Sequence, residues 1–182
     1  SLTIDSLGLG VDSFKENKGF AWILTRIRLE IIRMPRYDEE ITVTAWYQDH
    51  KKWDFQFDFL VLDSEGRKLA GAVTTWMMLD IATREIRTSD QLGKIVVPMK
   101  TEGALETKPG KLKARNELDL AYKRFVGYSD IDLNGHLNNS RFLDIALDSL
   151  GPDIHRNYDV MAVEVNYLRE AFMGDELQEN IS

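Results

Sequence analysis

Apolar and polar positions alternate through most of the first half of the chain. From residue 23 to 31, Ile23, Thr25, Ile27, Leu29 and Ile31 fall on one face and Arg26, Arg28 and Glu30 on the other, which predicts a strand closed by Pro35. Ile41, Val43, Ala45 and Tyr47 repeat the period, and after a polar turn at 49–52 so do Trp53, Phe55, Phe57, Phe59 and Val61. Asp63-Ser64-Glu65-Gly66-Arg67 reads as a hairpin turn, and a long strand follows from Leu69 through Val73 and Met77 to Leu79. Four strands in meander order predict a curved antiparallel sheet whose apolar face needs a cover.

Other segments carry different signals. Residues 1–10 end in Leu7-Gly8-Leu9-Gly10, as a helix closing on glycine does. Periodicity is lost from about 98 to 118, where Gly103, Pro109 and Gly110 among charged residues read as a connector over the surface. Beyond it, 120–132 reads as a strand and 139–150 as an amphipathic helix. Leu143, Ala146, Leu147 and Leu150 form its stripe, widened by Phe142 and Ile145, and Gly151-Pro152 stops it. Residues 158–167 read as another strand. Both halves fit one plan, a long helix wrapped by an antiparallel sheet. The expected organisation is α+β: a first domain over 1–97, a connector over 98–118 and a second domain over 119–182. Each domain reads as truncated. The first lacks a leading strand and most of its helix, and the second lacks its final strands, leaving an open sheet edge unless the first half covers it.

Composition narrows the chemistry. With 182 residues, 43% of them apolar, the chain can form one ample core or two small domains. A net charge of −7 disfavours nucleic acid as a partner. The absence of cysteine removes disulfides, thiolate metal sites and cysteine nucleophiles, and three histidines make a multi-histidine zinc site a poor expectation. No apolar run approaches the roughly twenty residues of a membrane span, and the first residues do not read as a signal peptide. The expectation is a soluble, cytoplasmic protein without metal or cofactor.

Candidate chemistry concentrates in one stretch, Tyr128-Ser129-Asp130-Ile131-Asp132-Leu133-Asn134-Gly135-His136-Leu137-Asn138-Asn139. On extended backbone, Asp132, Asn134 and His136 would share a face, with Ile131 and Leu133 opposite. Gly135 would let the backbone turn or approach a ligand. Asn138-Asn139-Ser140 offers N-cap candidates, so the following helix would aim its free amides at whatever the triplet holds. Taken alone, the triplet reads equally well as a polar turn that caps a helix.

This run, with Val163-Glu164-Val165-Asn166-Tyr167-Leu168-Arg169-Glu170 after it, resembles the second half of the acyl-acyl carrier protein thioesterases of plants and bacteria. The first half resembles their first domain in Trp22-Ile23-Leu24-Thr25-Arg26, Arg33-Met34-Pro35-Arg36-Tyr37 and Ala72-Val73-Thr74-Thr75-Trp76-Met77-Met78. The resemblance implies a double hotdog fold and hydrolysis of a fatty acyl thioester on acyl carrier protein, without cofactor or metal. It leaves a homodimer open and gives no reason to expect nucleic acid or a membrane. It implies catalytic roles for Asp132, Asn134, His136 and Glu170. Plant members often carry cysteine after that glutamate, where this chain has Ala171, so hydrolysis must use water or a carboxylate.

On that footing Glu170 is the expected general base, with His136 and Asn134 placing water and thioester. Amides at Asn138, Asn139 and Ser140 would polarise the carbonyl, and Asp132 would orient its neighbours or share the base role. The aromatic face Trp53, Phe55, Phe57 and Phe59 reads first as core. An acyl pocket would draw on such residues with Trp22, Trp46, Val73 and Met77, since a fatty chain gains about 0.8 kcal/mol per buried CH₂. Carrier docking would use Lys111, Lys113 and Arg115 with Lys123 and Arg124, or Lys51-Lys52, all of which read at least as well as solvated charges. His50 and His155 read as exposed bystanders. The same site chemistry would serve a coenzyme A thioesterase, and a noncatalytic acyl-binding hotdog protein is the reading from another class.

Overall fold

In the computed structural model, which describes residues 19–92, 101–113 and 118–181, the alternating segments of the first half become β1 (Phe20–Ile31), β2 (Ile41–His50), β3 (Phe55–Asp63), β4 (Lys68–Asp80) and β5 (Ile86–Arg87). The second half supplies β6 (Asp119–Phe125), α1 (Asn139–Asp148), α2 (Pro152–Asn157), β7 (Ala162–Asn166) and β8 (Glu176–Ile181). The glycine-closed helix expected over 1–10 lies outside the described residues. The chain divides into two compact units, one of residues up to Gly110 with Met161–Asn166, the other of Lys111–Val160 with Tyr167 onward. The first holds an antiparallel sheet in the order β2-β3-β4-β1-β7, with β5 also on β4. The strand expected over 158–167 is therefore shorter, and its partner is β1 of the first half, Leu29 standing opposite Val163.

Pairing corrects the single apolar face expected of β1. Leu24 lies opposite Trp76 and Arg26 opposite Thr75, so Thr25 is an extra residue in the ladder, and its hydroxyl donates to the Thr75 carbonyl at 2.9 Å. Alternation inverts across such a bulge. Ile23 shares a face with Arg26 and Arg28, whereas Ile27 and Leu29 join Trp22 and Leu24. Register carries this second face through Trp76 and Met78 to Phe55, Phe57 and Tyr47. There Tyr47, Phe55, Phe57 and Met78 are buried, with Phe20, Trp22, Phe59 and Trp76 around them. The Trp22 ring stands edge-on to Phe55 at 5.0 Å, a geometry that contributes about 0.5–1.5 kcal/mol beyond the area buried.

The opposite face mixes polar and apolar side chains and is partly covered. Asp58 is fully buried there and accepts the Ala104 amide at 2.7 Å and the Gln56 side-chain amide at 2.8 Å. Lys68 Nζ donates to the Ala104 carbonyl at 2.6 Å, and Ala104 and Leu105 are buried. Part of the expected surface connector is thus packed on the sheet, because a buried carboxylate requires donors. Gly71 makes the approach possible: a Cβ there would meet the Ala104 carbonyl and the Leu105 side chain at 3.0 Å.

In the second unit β6 pairs antiparallel with β8, and Val126, Leu137, Ile145 and Ala171 form a buried cluster ringed by Tyr122, Ile131, Phe142 and Leu177. The centre of the α1 stripe is Ile145; Ala146, expected inside, is exposed. Gly151 does more than stop a helix, since it caps α2 with Pro152 in the first turn, where a missing N–H costs nothing. Among the described residues no helix is long and apolar enough to cross a membrane.

Candidate active site

The strand expected over 120–132 ends at Phe125 because Asp130 turns the chain. Its buried carboxylate accepts the Gly127 amide at 2.9 Å and the Arg124 guanidinium. The Gly127 bond foremost, with the Arg124 charge, holds the Asp130 pKa below the ordinary carboxylate range against the effect of burial. Tyr128–Asp130 form a single 3-10 turn, and the Asp130 carbonyl accepts the Asn138 amide at 2.9 Å. That bond joins the two ends of the loop that carries the chemistry.

The loop is not extended. Ile131 and Leu137 pair as an antiparallel bridge, the Asp132 amide donates to the His136 carbonyl at 2.8 Å, and the Gly135 amide donates to the Asp132 carbonyl at 3.1 Å. Residues 132–136 therefore close a tight turn, with Gly135 at φ +81°, where glycine alone carries no Cβ penalty. The cause is local: Asp132 Oδ1 accepts the amides of Asn134 at 2.8 Å and His136 at 3.2 Å, a pattern that competes with strand formation. Leu133, expected beside Ile131 on an apolar face, is fully exposed, whereas Ile131 packs on the core. The Asn134 side chain is exposed and His136 is half-buried.

A second bridge brings Glu170 to this turn. His136 pairs antiparallel with Phe172, and the Leu137 amide donates to the Ala171 carbonyl at 2.7 Å. Glu170 Oε1 then lies 3.6 Å from His136 Nδ1, just beyond hydrogen-bond length, with the two side chains 45% and 35% exposed. Catalytic contacts of this kind commonly tighten when substrate enters. The Phe172 ring stands edge-on to the imidazole at 5.1 Å and 89°. The Ala171 side chain is buried with Val126, Leu137 and Ile145.

At the start of α1, Asn138 is the N-cap: its Oδ1 accepts the Ser140 amide and the Ser140 hydroxyl, each at 3.0 Å. Its own amide is held by Asp130. Of the three amides expected to polarise a carbonyl, only that of Asn139 finds no acceptor among the described residues. The Asn139 carbonyl accepts the Tyr167 hydroxyl at 3.0 Å, and burial raises the Tyr167 pKa. The second unit thus brings together His136, Glu170 and the turn built by Asp132, beside a helix start with one free amide.

The residues expected to line an acyl pocket do not share a surface. Trp22 stands on the buried face of the first sheet, whereas Trp46, Val73 and Met77 lie on the other face, Trp46 and Val73 both opposite Asp58. Of the expected basic cluster, Lys123 pairs with Glu176 at 3.0 Å and Arg124 with Asp130, and Arg115 lies outside the described residues. His155 is exposed, its Nε2 3.0 Å from the Leu147 carbonyl. Among the described residues no three His, Asp or Glu side chains are placed to hold a metal. Sequence reasoning missed Asp130, Phe172 and Tyr167 as supports of the site. Asp130 alone carried a signal, an acidic residue three positions after a glycine, where a carboxylate can close a turn.

A family model described as the acyl-ACP thioesterase N-terminal domain matches residues 2–91, and one described as the C-terminal domain matches residues 113–181. A chloroplastic acyl-acyl-carrier-protein hydrolase of Cuphea viscosissima is 25% identical over 176 residues, covering 91% of this chain and 43% of the relative. The chloroplastic palmitoyl-acyl carrier protein thioesterase of Gossypium hirsutum is 26% identical, covering 94% of this chain and 43% of the relative. The chain spans less than half the length of these curated relatives. The crystal structure of an acyl-ACP thioesterase from Bacteroides thetaiotaomicron superposes with a TM-score of 0.84 at 28% identity, over 96% of this chain and 70% of that one. The fold is accordingly α+β of the double hotdog type.

Proposed function

The chain belongs to the acyl-ACP thioesterase family, and on that premise we propose that it hydrolyses fatty acyl-acyl carrier protein to free fatty acid and carrier protein. The observation that carries this reading is the approach of Glu170 Oε1 to within 3.6 Å of His136 Nδ1, on a turn braced by its own backbone. Glu170 takes a proton from water, and the water oxygen adds to the thioester carbonyl carbon. Charge moves to the carbonyl oxygen, where the free Asn139 amide and the positive end of α1 stabilise it. On collapse the C–S bond breaks, and the sulfur leaves with the proton that Glu170 accepted, passed directly or through His136. Asp132 Oδ1 is already committed to two amides, so its part is to hold Asn134 and His136 in place. The exposed Asn134 amide orients water and thioester.

The carrier decides between this reading and a coenzyme A thioesterase, since the same groups serve both. Release of free thiol from dodecanoyl thioesters of acyl carrier protein and of coenzyme A separates them. The carrier-protein substrate should have a kcat/KM at least about tenfold higher, equivalent to about 1.4 kcal/mol. The reverse preference would move the assignment to coenzyme A, and no thiol release from either would leave an acyl-binding protein.

A further inference from the structure

One face of the first sheet carries a groove lined entirely by residues of the first unit, none of them assigned to the hydrolytic site. Arg26, Thr75 and Gln56 stand in register across β1, β4 and β3, with their side chains on one face. With Lys51, Asp54 and Lys108 they line a polar cavity of about 140 Å³. A second hollow of about 490 Å³ adjoins it, sharing Arg26, Lys51 and Asp54, and continues over Trp53, Met77 and Ile86. Met77, expected in an acyl pocket, lines this groove.

Charge is distributed unevenly in it. The chain carries a net −7, yet the two hollows gather Arg26, Lys51, Lys52 and Lys108 against the single carboxylate of Asp54. Asp54 lies 3.6 Å from Arg26. Among the described residues Lys51 and Lys108 have no carboxylate partner. Lys52 Nζ sits 5.3 Å from the centre of the Trp53 ring, at the apolar end. A concentration of unpaired cations in a concave wall favours an anion, and an adjoining apolar trough favours a hydrocarbon chain attached to it.

We propose that this groove binds a single-chain fatty carboxylate, its head against Lys51 and Lys108 beside Thr75 and Gln56, its chain over Trp53, Met77 and Ile86. The identity of the ligand rests on the proposed hydrolysis, which releases this class of anion; the groove is then a product-binding site on the first unit. The head group supplies the electrostatic attraction, and each CH₂ laid on the trough adds up to about 0.8 kcal/mol if fully buried, less on an open surface.

Calorimetric titration of the chain with dodecanoate, dodecanol and inorganic phosphate tests the proposal, with tryptophan fluorescence as a second readout. Dodecanoate should bind and change the fluorescence. The double variant Lys51→Gln/Lys108→Gln should weaken that binding about tenfold, as expected for two partly exposed charge contacts. Trp53→Phe should remove the fluorescence change. Dodecanol should bind at least about tenfold more weakly than dodecanoate, and phosphate at equal concentration should not displace dodecanoate. Equal binding of acid and alcohol, displacement by phosphate, or an unaffected double variant would overturn the groove. None of the binding arms reads turnover. A chain that hydrolyses thioesters but fails them loses only the groove, and one that passes them without hydrolysis loses only the proposed function.

Discussion

Glu170→Gln should lower turnover by about a hundredfold or more, since a positioned general base contributes on the order of 10²–10⁴. The change keeps the size of the side chain, and the carboxylate is nearly half exposed, its partner among the described residues being His136 at 3.6 Å. Folding stability should therefore stay within about 0.5 kcal/mol of the parent. Steady-state kinetics with thermal unfolding on the same preparation checks both halves. Near-normal turnover would remove Glu170 from the base role.

The second large effect belongs to a residue that need not touch the reacting atoms. Asp132→Ala leaves the amides of Asn134 and His136 without the oxygen that folds the turn, and a displacement of about 1 Å at a reacting group can cost about a hundredfold. Asp132→Asn keeps an acceptor oxygen in the same place but cannot act as a base. Kinetics of the pair separate the two roles. Substantial recovery in the Asn variant, expressed in kcat rather than KM, fits a positioning residue. Equal loss in both variants would make Asp132 a proton acceptor in its own right.

The sheet of the first unit was legible because half-buried antiparallel strands write their faces into the sequence at period two, as Phe55, Phe57 and Phe59 do. The bulge at Thr25 was not, because one inserted residue leaves the sequence alternation intact and is revealed only by the partner strand. The same holds for β7, whose pattern marks a strand but not which edge it joins. At the site, residue types were legible and geometry was not. The spacing of Asp132, Asn134 and His136 leaves an extended face and a polar turn equally open, and the turn prevails because it gives the Asn134 and His136 amides an acceptor. Glu170 carried no local signal, being one exposed acid among many; only the resemblance pointed to it, and the His136–Phe172 bridge brings it beside the imidazole.

The account turns on water, activated beside His136 by Glu170, as the group that attacks the thioester. A single turnover of dodecanoyl-acyl carrier protein in heavy-oxygen water, quenched rapidly and read by mass spectrometry on the fatty acid and on the peptide containing Glu170, tests it directly. The expected result is one heavy oxygen in the fatty acid, none in Glu170, and no acyl adduct on the peptide at any time. Heavy oxygen in the Glu170 carboxylate, or an acyl group attached to it, would contradict the account and make Glu170 the nucleophile.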